Sequence, residues 1–486
     1  MDEFAKLDGI GIANLIKQGE LSTYDVVQYY IAQIHQLNPL LNAVVHTMFE
    51  EAQQVAKHVD YKTSPLAGVP TFIKDLNPVK GHPTTFGSHM LKDYIAKESD
   101  EIVKRFQNAG IIFLGKTNTA EFGFLPTTEP QLFGPTKNPW DASLSAGGSS
   151  GGAGAAVAAG LAPFAHGSDG GGSIRIPASA CGLFGFKPSR GQVPYSDYVN
   201  HLSVNHAITK SVRDSAALLD VIQGRGRFDT YPGFKKEHSF LSSVNQPPKK
   251  LRIGVTYDWD EKVFVDDETK NSIRHTANLL QSLGHEVDYA APSFQFEQFA
   301  EHFITVWLGS GSVVVKHLGS LAGKELSEEQ IERLSFNVYQ YGQKLTAFQY
   351  EEARIALQQE ARKINSYYQS YDLLLSPVLN TTPVSIGFLQ DQRDPIHDML
   401  DNFTNYCSFT PIANVTGQPS MSVPLYWSSS NVPIGSMLTG RIGEDHLLFQ
   451  VASQLERAQP WKKKHQELQR ELKKEFLKKM IIGIYD

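Results

Sequence analysis

The chain has 486 residues, of which 41% are hydrophobic and 20% charged, with a net charge of −6. This balance excludes a disordered or fibrous protein and offers no sequence-independent attraction for nucleic acid. The only two cysteines, Cys181 and Cys407, cannot build a disulfide framework and fit a reducing cytoplasm.

The N-terminal stretch MDEFAKLDGIGIANLIKQGE carries acids where a secretory leader needs bases, and no run of apolar residues reaches bilayer-spanning length. A protein neither exported by a standard signal nor spanning a membrane is expected. Its length suits one large α/β domain over 1–486, with a subdivision near 246 left open.

From Ser22 a capping residue precedes apolar positions Val27, Tyr30, Ile31, Ile34 and Leu37, predicting an amphipathic helix that Asn38-Pro39 brings to an end. The short runs LAGVPTFI (66–73) and IIFL (111–114) predict strands separated by a helix around Asp100–Asn108, closed by Gly110. That alternation is an α/β pattern. From Ala142 to Gly160 a Gly/Ser-rich loop passes into an Ala-rich helix, and a second glycine loop, GSDGGGS, follows at 167–173.

Beyond Pro247-Pro248 the chain predicts a second α/β unit: strand 251–255, helix 268–283 and strand 285–289. Residues 290–400 read as mostly helical, with a buried strand at Tyr371–Leu375. A C-terminal helical tail over 461–482 places Leu468, Leu472, Phe476 and Met480 on one stripe within a basic sequence. The stripe predicts a solvated helix clamped to the body.

Chemistry concentrates in three places: a lysine closing an apolar strand (Lys74), a serine pair in one glycine loop (Ser149, Ser150) and a serine closing the next (Ser173). A serine hydroxyl must lose its proton to a nearby base to attack a carbonyl. A lysine serves only when neutral. With an ordinary pKa near 10.4, roughly one lysine in two thousand is neutral at pH 7, so burial must lower the value.

The words GVPTFIKDL, GKTNTAEFG, AGGSSGGAGAAVAAGLAPFAHGSDGGGSIRIPASACGLFGFKPSRG and SFTPIANVTGQPSMSVPL resemble the amidase-signature family across most of the chain. TTEP (127–130), NPW (138–140) and LERAQPW resemble its branch of 6-aminohexanoate-cyclic-dimer hydrolase-like amidases. The resemblance implies an α/β/α sandwich around one large mixed, twisted sheet. It also implies a serine amidohydrolase in which Ser173 is acylated, Ser149, on a cis peptide, relays protons, and Lys74 is the base. Where the family has Thr, this chain has Ser168, which keeps a hydroxyl in place.

The N–H groups of Gly170, Gly171, Gly172 and Ser173 are expected to converge as an oxyanion hole. Ser150, Asp169, Arg175 and Asn118 are candidates to brace the loops. The acyl pocket is expected near Phe124–Phe133, Tyr195–His201 and the helices between 300 and 345. The substrate is expected to be a small linear or cyclic amide, with no cofactor and no metal: the 16 histidines include no HExxH, and His82, His89 and His166 read as loop residues. The resemblance hints at a homodimer.

Three rival readings use the same residues. Gly147–Gly151 satisfies the G-x-S-x-G elbow of α/β-hydrolases, but NPWDASLSA before it is no strand. Gly152-Ala-Gly154 lacks the third glycine of a dinucleotide fingerprint. The glutaminase component of a tRNA-dependent amidotransferase complex is the third, and residues 325–345 lack the basic, glycine-rich segment associated with that component.

Overall fold

Helix Thr23–Leu41 starts where Ser22 Oγ accepts the Asp25 N–H and buries the expected apolar face. It does not stop at Pro39. The helix runs through the proline to Leu41 and ends at Asn42 in the left-handed conformation. Leu40 and Leu41 are drawn into the core, while Asn38 Oδ1 accepts the N–H groups of Ala43 and Val44. Burial of the last turn outweighs the proline signal.

The computed structural model describes residues 4–59, 64–196, 199, 201–234, 239–259, 261–389 and 395–481. Three strands, β1 (Val44–Thr47), β2 (Pro70–Lys74) and β3 (Ile112–Thr117), form a small sheet in the order β1-β3-β2. The remaining strands are β4 (Phe164–Asp169), β5 (Phe184–Lys187), β6 (Val204–Thr209), β7 (Arg252–Val255), β8 (Glu286–Tyr289), β9 (Leu373–Pro377), β10 (Ser420–Trp427) and β11 (Pro433–Thr439). They form one eight-stranded sheet, β4-β6-β5-β10-β11-β9-β7-β8. It is mixed: β7 runs parallel to β8 and β9, and the other pairings are antiparallel.

The five strands beyond position 246, β7 to β11, extend the same sheet that β4, β5 and β6 begin. Helices Arg175–Cys181, Val212–Ile222 and Asp267–Ser282 pack on the large sheet, as an α/β fold requires. The tail helix Lys462–Ile481 buries Leu468 and Leu472, while Met480 is exposed.

The small sheet meets the large one where β2 lies against β4. Thr71 Oγ1 donates to the Phe164 carbonyl at 3.0 Å, and the Lys74 N–H reaches His166 Nδ1 at 3.4 Å. That junction puts the end of β2 beside the glycine loop that follows β4.

Candidate active site

Every residue of β2 is buried, so its terminal lysine has no route to water along the strand. Lys74 Nζ lies 2.7 Å from Ser149 Oγ and 3.1 Å from Ser168 Oγ, both hydroxyls. Burial lowers its pKa to about 7, against an opposing pull from Asp169. His166, read from sequence as a loop residue, instead lies buried within β4. Burial drops its pKa to about 3, so it is neutral. Its Nδ1 accepts the Lys74 N–H, which leaves Nε2–H to donate to Asn205 Oδ1 at 3.2 Å.

The loop carrying Ser149 is held from outside. Its Gly148–Ser149 peptide bond is cis, and a Cβ on Gly148 would stand 2.4 Å from the Thr127 carbonyl oxygen. Thr128 Oγ1 donates toward the Gly147 carbonyl at 2.9 Å and accepts the Gly151 N–H at 3.0 Å. No strand precedes this loop, as a nucleophile elbow would need. The Ser150 N–H donates to the Ser173 carbonyl at 3.3 Å, and Ser150 Oγ donates to the Ser168 carbonyl at 3.3 Å. These two bonds stitch the serine loops together.

In the second loop Asp169 is the organiser. Its carboxylate accepts Arg175 Nε and Nη2, both at 2.9 Å, and Asn414 Nδ2 at 2.9 Å. Burial pushes the carboxyl up, but the Arg175 guanidinium and these hydrogen bonds overcome it and hold the pKa well below the carboxylate range. The same carboxylate also takes the Gly172 N–H at 2.8 Å. Gly172, expected among the converging donors, is therefore turned onto Asp169. A glycine is needed there for another reason: its φ is +134° and a Cβ would stand 2.4 Å from Thr410 Oγ1. Built on Gly170 or Gly171, a Cβ would touch Trp307, Phe303 and Ser203 at ordinary contact distance.

Asn118 braces the first serine loop through its backbone, its carbonyl accepting the Gly152 N–H at 3.3 Å, while its side chain turns away. Its amide donates to the Gly134 carbonyl at 3.1 Å and to Thr136 Oγ1 at 3.0 Å, bracing a neighbouring loop. Reading the sequence also missed a buried ion pair beside the lysine: Lys116 Nζ and Asp75 Oδ1 are 2.9 Å apart. The words GKTN and KDL carry both residues, yet nothing local marks them as partners.

Ser173 is nearly buried and opens onto an apolar cavity of about 70 Å³. Its walls include Phe124, Leu125, Phe303 and Trp307, in the regions expected, but also Met399 and Phe403, which were not. Tyr195 and His201 line a different cavity of about 880 Å³, which none of Lys74, Ser149 and Ser173 touches, and Tyr195 also lines a further cavity of about 560 Å³ that Ser168 touches. Of the stretch between them, residues 197, 198 and 200 lie outside the described residues. Chemistry rather than volume locates the site.

A family model described as Amidase matches residues 25–449. The chain belongs to the amidase family. This amidase is 35% identical to the 6-aminohexanoate-cyclic-dimer hydrolase of Pseudomonas sp. (strain NK87), over 93% of this chain and 95% of that protein. The solved structure of a 6-aminohexanoate cyclic dimer hydrolase with substrate superposes with a TM-score of 0.89 at 33% identity, covering 96% of this chain and 99% of the other. One component of the Glutamyl-tRNA(Gln) amidotransferase from Prochlorococcus marinus (strain NATL2A) is 31% identical, over 91% of this chain and 95% of that one. The higher identity lies with the amidases, and the chain is a hydrolase of carbon–nitrogen bonds other than peptide bonds. Among the described residues no helix is long and apolar enough to cross a membrane.

Proposed function

We propose that this amidase hydrolyses small linear or cyclic amides through an acyl-enzyme on Ser173, with Ser149 as proton relay and Lys74 as general base. One observation carries the reading: a buried amine in contact with Ser149 Oγ at 2.7 Å, with only hydroxyls as side-chain partners. A lysine held this way is neutral for much of the time near pH 7.

In the first step Ser173 Oγ attacks the amide carbon, its proton passes to Ser149 Oγ, and the Ser149 proton passes to Lys74 Nζ. The N–H groups of Gly170, Gly171 and Ser173 face the developing oxyanion, each contributing about 3 kcal/mol. Gly172 instead fixes the loop through Asp169. On collapse the carbon–nitrogen bond breaks, and Ser149 returns a proton to the leaving nitrogen. Water then repeats the sequence on the ester. The free thiols of Cys181 and Cys407 suit a cytoplasmic enzyme.

Ser173→Ala removes the acyl acceptor and is expected to abolish turnover of a short-chain anilide. Mass spectrometry of the wild-type enzyme with a slow ester is expected to find the acyl group on Ser173. A label on Ser149, or turnover surviving in Ser173→Ala, overturns the reading.

A further inference from the structure

The cavity of about 880 Å³ that stands apart from Lys74, Ser149 and Ser173 gathers four arginines from three parts of the chain. Arg190 follows β5, Arg225 follows helix Val212–Ile222, and Arg354 and Arg362 belong to helix Ala347–Ser366. Residues spaced by four share a helix face, so Arg354, Gln358 and Arg362 line the cavity together. Its floor is apolar: Val193, Leu202, Val306, Leu357 and Val415 line it and are buried, whereas Arg225 and Arg362 are exposed at its mouth. On one side the Tyr231 ring packs 5.1 Å from that of Tyr195 and 5.2 Å from that of His201, centroid to centroid. The volume is of a size that holds small organic ligands.

The positive charge is not balanced from within. Among the described residues Asp229 is the one carboxylate of the lining, and its Oδ2 is taken by the N–H groups of Tyr195 and Gly226, at 2.9 and 2.8 Å. Arg225 donates only to the Asp229 carbonyl, and no carboxylate among the described residues pairs with Arg190, Arg225 or Arg362. Arg354 meets Glu351 at 2.5 Å, in an exposed pair of the kind that contributes little. Arg190 is spent on the main chain: Nε donates to the His201 carbonyl at 3.1 Å, and Nη2 to the carbonyls of Asn414 and Val415. Burial lowers its pKa with no carboxylate opposing. Burial, then Arg190 and Arg354, lower the pKa of His201, so both guanidiniums stand near one ring.

We infer that this cavity is a second ligand site, which takes an organic dianion with an apolar middle, a straight-chain dicarboxylate whose two ends lie against the arginines. A single oxyanion does not span the cations, because Arg354 and Arg362 stand two helical turns apart, about 12 Å. A guanidinium holds a carboxylate through two parallel N–H groups, and the apolar floor favours each methylene that leaves water. The site does not depend on the acyl-enzyme mechanism. Arg190 is where it borders the catalytic loops: the carbonyls that Arg190 caps close helix Thr410–Thr416, whose Asn414 holds the Asp169 carboxylate.

The test is calorimetric titration of the full chain at low ionic strength with suberate, succinate, butyrate, pyrophosphate and the uncharged diamide of suberic acid. Suberate is expected to bind one to one and more tightly than succinate, butyrate or the diamide, and to weaken as salt is added. Arg225 and Arg362 are exposed and free of ion pairs among the described residues, so Arg225→Gln and Arg362→Gln should keep the wild-type melting temperature. Each is expected to weaken suberate about tenfold, the loss of one charge-assisted contact. No saturable heat with suberate, or an affinity unchanged in both variants, overturns the site. Pyrophosphate binding more tightly than suberate overturns the dicarboxylate assignment. Suberate competing with a short-chain anilide in turnover places it in the Ser173 cavity and overturns the inference as well.

Discussion

Two buried lysines stand one rung apart at the ends of β2 and β3, and they do opposite things. In the parallel register Lys74 sits beside Thr117, and Lys116 beside Ile73. Because side chains alternate along a strand, the two amines leave opposite faces of the small sheet. Both are fully buried. Lys116 meets the Asp75 carboxylate at 2.9 Å, Thr84 Oγ1 at 2.9 Å and the Pro83 carbonyl at 3.1 Å. Burial lowers its pKa, and Asp75 pulls it back. Lys74 meets two hydroxyls and no carboxylate in contact, so burial prevails and takes it to about 7. On the proposed mechanism, one missing carboxylate separates a base from a strut.

The widest break in this comparison comes from removing each amine in turn. Lys74→Met is expected to lower kcat by about 10²- to 10⁴-fold, the usual weight of a positioned base. Its melting temperature should hold or rise, since a desolvated amine gives way to an apolar chain. Lys116→Met acts on the other axis. It leaves the Asp75 carboxylate buried without its cation and is expected to cost about 3–5 kcal/mol in denaturant unfolding. If Lys74→Met unfolded the enzyme while Lys116→Met left stability intact, the assigned roles would be reversed.

The same contrast marks what the sequence could disclose. Lys74, Ser149 and Ser173 are legible as candidates because each sits in a word of its own: an apolar run ending in lysine, and two glycine loops. The alternation of strands and helices is legible for the same local reason. Asn414, which holds both Asp169 and Arg175, lies 239 residues from Arg175 in the chain, and no local pattern announces such a pairing. The cavity wall at Met399 and Phe403 is hidden in the same way: one helix reads alike whether its apolar face meets core or ligand. Pro39 and Gly172 show the opposite error, in which a strong local signal yields to tertiary packing in one case and to a nearby carboxylate in the other.

The smallest and most discriminating effect concerns pH and Ser168. Below pH 7 Lys74 holds a proton and cannot take one from Ser149, so kcat/KM should rise as pH climbs through about 7 and level off above it. Ser168 Oγ accepts a hydrogen from Lys74 Nζ, which helps aim the amine's lone pair at Ser149. Ser168→Ala removes one neutral hydrogen bond, about 1 kcal/mol, and should lower the plateau about fivefold. It also withdraws an acceptor that matters more to the ammonium than to the neutral amine, because hydrogen bonds to charged groups are stronger. The lysine pKa therefore falls further, and the acidic limb should move to lower pH even as the plateau drops. Ser168→Thr, which keeps the hydroxyl, should restore both. A limb moving to higher pH in Ser168→Ala would mean that the titrating group is not the amine that Ser168 touches.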